Sequence, residues 1–224
     1  MADADLERLR RSVAAACHGL AREGLLIGTA GNVSARSGDR IAISATGVVL
    51  GHATLDEMTV VDPDGGVVAG DLEPSSELEL HLGVYERYGA GAVVHTHSPQ
   101  ATALSLVLDE LPCVHYQQLQ IGGSVRVAPF AVFGTPELAE LVLTALEGRS
   151  AALLANHGAI AHGPTLDKAV ENALLLEWAC GVYLRAATIG TPRALSTDEQ
   201  AAVITAALSR GYGRTRRIDK ENAR

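Results

Sequence analysis

The sequence predicts a single α/β domain, and three observations predict it. Short apolar runs rich in β-branched residues alternate with longer stretches whose apolar positions recur every three or four residues, the periods of strand and amphipathic helix. The chain has 224 residues with a hydrophobic fraction of 47%, enough to fill one core and short of what usually splits into several. Two of the apolar runs, Ala92-Val93-Val94-His95-Thr96-His97 and Ala151-Ala152-Leu153-Leu154-Ala155-Asn156-His157, end in histidine.

In chain order, Leu6, Leu9, Val13, Ala16 and Leu20 give a helix over about 5–23, stopped by Gly24. The stretches Gly28-Thr29-Ala30-Gly31-Asn32-Val33-Ser34 and Ser44-Ala45-Thr46-Gly47 read as turns beside a strand around Ile41-Ala42-Ile43. Glycine there permits close backbone approach and exposed N–H groups suit an anion, although neither stretch matches a Walker or dinucleotide fingerprint. A strand over Thr59-Val60-Val61-Asp62 precedes a Pro-Asp-Gly-Gly turn. Ser76-x-x-Glu79 fits a capping box and predicts a helix to about Tyr88 with Glu77 in its first turn. The Ala92–His97 run is a buried strand stopped by Ser98-Pro99, and a helix follows over about 100–108. Strands are expected at Leu111–Tyr116 and Val125–Ala128, then a helix from Thr135-Pro136 to near Gly148, the Ala151 strand, and helices over about 165–187 and 197–209. Thr197 and Glu199 stand one residue short of a capping box. The basic stretch Gly211–Arg217 reads as a frayed end.

Composition removes several classes of function. A net charge of −8 offers no basic face to a nucleic acid or an anionic membrane, while leaving room for a small pocket that holds one phosphate. No apolar run approaches the length of a membrane span. The acidic start Met1-Ala2-Asp3-Ala4-Asp5-Leu6-Glu7 lacks a signal peptide's basic-then-apolar order, so a cytoplasmic protein is expected. Cys17, Cys113 and Cys180 are odd in number and widely spaced, suggesting neither a disulfide framework nor a thiolate metal site.

The histidines point to a metal. Side chains on a strand alternate between faces, so His95 and His97 point the same way with Cα atoms about 7 Å apart and can converge on one ion. A catalytic zinc commonly takes three protein ligands and keeps an open position. His157, at the end of a second buried run, is the candidate third ligand. Glu77 is the candidate acid/base, because Glu79 already fills the capping role and the helix leads within a few residues into the histidine strand. His81, one turn beyond Glu77, is read as a packed helix residue, and Tyr116 as either a proton donor or an aromatic at a sheet edge.

Gly28-Thr29-Ala30-Gly31-Asn32-Val33-Ser34, Ala45-Thr46-Gly47, Pro74-Ser75-Ser76-Glu77, His95-Thr96-His97 and Asn156-His157-Gly158, taken together and in this order, resemble the zinc-dependent class II aldolase/adducin family. The resemblance covers about Leu6 to Tyr212-Gly213. It implies one three-layer α/β/α domain over 1–224 with a mostly antiparallel central sheet, a mobile C-terminal tail from about residue 210, and a cyclic homotetramer with active sites between subunits. It implies one zinc ion per subunit on His95, His97 and His157. Glu77 is then the acid/base, ligating the ion when no substrate is bound. A substrate phosphate would lie among Asn32, Thr46, Gly47, Ser75 and Ser76. Tyr116 would act on the aldehyde across a subunit interface, and Tyr212, on the tail, would join it, which replaces the frayed-end expectation. The implied activity is reversible cleavage of a ketose 1-phosphate, a small phosphorylated sugar, to dihydroxyacetone phosphate and a short aldehyde. Three alternatives share the scaffold: methylthioribulose-1-phosphate dehydratase, against which no residue decides; pentulose-phosphate 4-epimerase, which typically carries Asp where this chain has Glu77; and an adducin-like scaffold protein, which lacks the zinc constellation present here.

Overall fold

The computed structural model describes residues 3–213. Its strands, β1 (Asn32–Ser37), β2 (Arg40–Ser44), β3 (Met58–Val61), β4 (Val67–Ala69), β5 (Ala92–Thr96), β6 (Glu110–Leu111), β7 (Val125–Ala128), β8 (Ala151–Leu154) and β9 (Gly158–Gly163), form one sheet in the order β4-β3-β2-β1-β5-β9-β8-β7-β6. Every pairing is antiparallel except β7 with β8. The helices are α1 (Asp3–Arg22), α2 (Leu78–Tyr88), α3 (Pro99–Ser105), α4 (Pro136–Ala145), α5 (Leu166–Ala187) and α6 (Thr197–Arg210).

Strand alternation separates the core into two layers. Ala92 and Val94 of β5, Ala151 and Leu153 of β8 and Ala159 and Ala161 of β9 pack with α1, α3 and α5. Val93, Ala152, Leu154 and Ile160, one residue out of phase, pack with α2 and α4. The three-layer α/β/α arrangement with a mostly antiparallel sheet follows directly, and β5 stands near its centre, flanked by β1 and β9. Gly91 leads into β5 where a Cβ would lie 2.1 Å from the Pro164 carbonyl oxygen, so only glycine lets this strand close against the turn into α5.

Several local expectations are corrected. The Ser76–Glu79 capping box does not form: α2 starts one residue later, Glu77 is its N-cap, and Ser75 Oγ accepts the Glu77 N–H at 3.3 Å. The box at α6 uses Ser196 with Glu199, not Thr197. The strand expected over Leu111–Tyr116 stops at Leu111, because Pro112 supplies no ladder donor and Gln118 Oε1 takes the N–H groups of Val114 and His115. Tyr116 instead opens a 3-10 turn, Tyr116–Ile121, capped by His115. The Gly28–Ser34 turn becomes strand from Asn32, and β4 and β9 had no counterpart in the sequence reading. The expected frayed segment beyond residue 213 lies outside the described residues. Among those residues, no helix is long and apolar enough to cross a membrane.

Candidate active site

The β5–β9 register fixes the metal candidates. His95 pairs with Ile160 and Thr96 with Ala159, so the end of β5 lies beside the β8–β9 turn that carries His157. Asn156, in that turn, is the described non-glycine residue with a positive φ, 57°, a conformation asparagine tolerates better than most side chains. Gly158 follows where a Cβ would lie 2.3 Å from the Thr96 carbonyl oxygen and 3.3 Å from His97 Cα. Gly158→Ala is expected to push β5 and β9 apart beside the site, costing about 1–3 kcal/mol and lowering the Tm by several degrees. In contrast, Gly19→Ala, inside α1 with nothing within 4 Å of its Cβ, is expected to leave the Tm unchanged or raise it slightly. Thermal denaturation of the two variants side by side checks the contrast.

The ligand nitrogens of His95, His97 and His157 lie within 4.8 Å of one another. His95 Nε2 is 3.1 Å from His97 Nε2 and 3.2 Å from Glu77 Oε2, and His157 Nε2 is 3.6 Å from Glu77 Oε1. Nitrogen ligands about 2.0–2.1 Å from a tetrahedral zinc stand roughly 3.3 Å apart, so the spacing fits. His95 Nδ1–H donates to the Ala159 carbonyl at 3.0 Å, which leaves Nε2 as the bare lone pair. Glu77 Oε1 is buried without a hydrogen-bond partner among the described residues, an arrangement a cation in the cluster relieves. These residues fit a metal ion.

Electrostatics agree with that donor set. Burial alone would raise the Glu77 pKa, but the adjacent His95, the Asn32 amide and His157 outweigh it and hold the carboxyl below its usual range. Burial lowers His95 while Glu77 raises it, and the balance is upward. His97 is pushed down to about 4 by burial and by its two histidine neighbours, against the pull of Glu77. His157 is lowered by burial and by His95, again against Glu77.

A cavity of about 410 Å³ opens beside the cluster and is lined by Glu77, His97 and His157 together with Asn32, Thr46, Gly47, Ser75 and Ser76. Hydrogen bonds between loops assemble it. Thr46 N–H donates to the Glu73 carbonyl, Leu50 N–H donates to the Gly28 carbonyl, and Ala45 bridges to Pro74. Gly47 takes a φ of 73° at the bend. Among the described lining residues there is no lysine or arginine, so an anion here meets hydroxyl, amide and backbone donors at the start of α2. Phe130, Val132 and Phe133 form an exposed apolar wall on the same cavity.

Within one chain, Tyr116 and Tyr212 do not reach this cavity. Their hydroxyls lie 3.2 Å apart in a separate cleft between the 3-10 turn and α6, with Val203, Ile204, Ala207 and Leu208. Behind Tyr116, His115 is tilted against it with ring centroids 4.6 Å apart, and Trp178 stands edge-on to His115 at 4.8 Å. No residue of α6 is buried.

One part of the site was missed in the sequence. His81 is not merely packed: its Nε2 meets Asn32 Oδ1 at 2.5 Å and its Nδ1 meets Ser34 Oγ at 2.6 Å, while Asn32 Nδ2 donates to Glu77 Oε2 at 2.9 Å. The available signal was Glu77, His81 and Tyr85 at successive four-residue steps on one face of α2, opposite Asn32 and Ser34 on one face of β1.

The sequence profile described as Class II Aldolase and Adducin N-terminal domain matches residues 11–184. An L-fuculose phosphate aldolase from Escherichia coli K12 is 39% identical over 199 residues, covering 88% of this chain and 92% of the relative. A 5-methylthioribulose-1-phosphate/5-deoxyribulose-1-phosphate aldolase from Rhodospirillum rubrum is 38% identical over 198 residues, covering 88% and 89%. A solved structure of L-fuculose 1-phosphate aldolase superposes with a TM-score of 0.86 at 32% identity over 92% of this chain and 97% of that one. The chain belongs to the class II aldolase/adducin family.

Proposed function

We propose that this protein is a zinc-dependent aldehyde-lyase that reversibly cleaves a ketose 1-phosphate of the L-fuculose 1-phosphate kind into dihydroxyacetone phosphate and a short aldehyde. The observation that carries this reading is the conjunction, around one cavity, of three converging histidines, a buried carboxylate against two of them and a lining of hydroxyl and amide groups. Zinc held by His95, His97 and His157, with Glu77 as a further ligand in the resting enzyme, supplies Lewis-acid stabilisation of the negative charge that develops on oxygen.

The chain's own residues supply the rest. Asn32, Thr46, Gly47, Ser75 and Ser76 bind the phosphate and so set the depth at which the carbonyl lies. In the synthetic direction Glu77 removes a proton from the hydroxymethyl carbon of dihydroxyacetone phosphate, a task for a carboxylate that stays ionised at neutral pH. The wall of Phe130, Val132 and Phe133 suits an aldehyde with an alkyl end. Tyr116 and Tyr212 line a cleft separate from this cavity, which is consistent with their serving the aldehyde oxygen of a neighbouring subunit in a cytoplasmic homotetramer.

Incubating the zinc-loaded protein with dihydroxyacetone phosphate in D2O tests the reading. Metal-dependent deuterium incorporation at the hydroxymethyl carbon, with no aldehyde present and none in a chelated control, is the expected NMR result. No exchange with zinc verified in the protein overturns the lyase reading.

A further inference from the structure

A continuous chain of hydrogen bonds runs from the active-site carboxylate into the core: Glu77 Oε2, Asn32, His81, Ser34 and the Tyr85 hydroxyl. All five side chains are buried, His81 and Ser34 completely. The donor at each link is forced. A carboxylate only accepts, so Asn32 presents its NH2 to Glu77 and therefore its Oδ1 to His81. His81 must then carry its proton on Nε2. The ring is completely buried and its two nitrogens meet a hydroxyl and an amide oxygen rather than a carboxylate, a setting that disfavours the charged imidazolium, so with Nε2 protonated Nδ1 is a bare acceptor. Ser34 accordingly donates to Nδ1, and the Tyr85 hydroxyl, 2.6 Å away, donates to Ser34.

This polarity has a consequence at the site. A side-chain amide can flip, exchanging its oxygen for its nitrogen. A flipped Asn32 would set an oxygen 2.9 Å from Glu77 Oε2, two acceptors face to face, and would set its NH2 against the N–H of His81. We propose that His81 is a positioning residue: by donating from Nε2 to Asn32 it locks the amide with its N–H groups toward Glu77, and so fixes the carboxylate in its proton-abstracting orientation. Ser34 and Tyr85 hold the imidazole in the tautomer that does this. The proposal rests on the reading of Glu77 as the base, and concerns how that base is held rather than whether it acts.

Two variants separate positioning from packing. His81→Asn keeps a partner for Ser34 but falls short of Asn32, whereas His81→Gln carries an N–H close to where the imidazole has Nε2–H. The expected result is that His81→Asn lowers kcat for the exchange reaction by roughly 10- to 100-fold, more than it changes KM, and that His81→Gln recovers most of the loss at a Tm similar to that of His81→Asn. Equal activities in the two variants overturn the proposal. A second measurement needs no turnover. Side-chain 15N shifts of His81 in the wild-type protein are expected to show a protonated Nε2 and a bare Nδ1, with the Tyr85→Phe variant, which removes only the distal hydroxyl, mixing the tautomers. A protonated Nδ1 in the wild type sinks the proposal even if the exchange reaction runs, and a wild type that shows the expected tautomer but no exchange would locate the failure in the role of Glu77.

Discussion

Glu77→Gln is expected to retain zinc and to lose at least two orders of magnitude in the turnover of dihydroxyacetone phosphate, in line with the roughly 10²- to 10⁴-fold that a positioned general base contributes. Gln has almost the same shape, and its side-chain oxygen can still accept from Asn32 Nδ2, now 2.9 Å from Glu77 Oε2. His95, His97 and His157 are untouched. What disappears is an anionic oxygen able to accept a proton, in a place where neighbouring imidazoles and the Asn32 amide keep the carboxyl ionised. Deuterium exchange and metal content measured on one preparation check it. A zinc-loaded Gln variant that exchanges at the wild-type rate removes Glu77 from the reaction.

Metal removal is expected to have a still larger effect on activity, and an effect on stability as well. A chelated protein should show no measurable turnover, recover it on addition of zinc, and melt at a lower temperature. A ligand that binds only the folded state adds about 4 kcal/mol when present at a thousand times its dissociation constant, and each kcal/mol moves the Tm of a protein this size by roughly 2–4 °C. Three ring nitrogens and a carboxylate held within a few ångströms are a poor arrangement without a cation between them, which is why the gain should approach that figure. Differential scanning calorimetry of the chelated and reconstituted protein tests the stability effect, and a chelated protein with unchanged activity and Tm would falsify the metal assignment.

The histidine cluster was legible because strand geometry is nearly digital: two histidines two apart on a buried run must share a face. His157 was legible for the related reason that it ends a second buried run, although the pairing that brings the runs together was not. β9 shows why. Gly158-Ala159-Ile160-Ala161-His162-Gly163 is bounded by glycines and largely filled with small residues, and its place is dictated by close approach to the β5 backbone at Gly158 and to the first turn of α5 at Gly163, a tertiary fact with no periodic signature. Tyr116 reads as a strand residue because aromatic and apolar neighbours favour one, whereas Gln118, two residues further along, captures the N–H groups a ladder would need. The chain behind Glu77 went unread because its members lie on two elements, each with a pattern that packing alone explains. Only the match between four-residue steps on α2 and two-residue steps on β1 links them.

The corner at Tyr116 has a practical use. Trp178 is the only tryptophan in the sequence, and its indole sits edge-on to His115, which lies against Tyr116, which in turn meets Tyr212. The emission of that one indole therefore originates three side chains from the end of α6. Fluorescence of the unlabelled protein becomes a local gauge of this corner, reading the arrival of a second surface or a rearrangement of the two tyrosines against a background free of any other tryptophan.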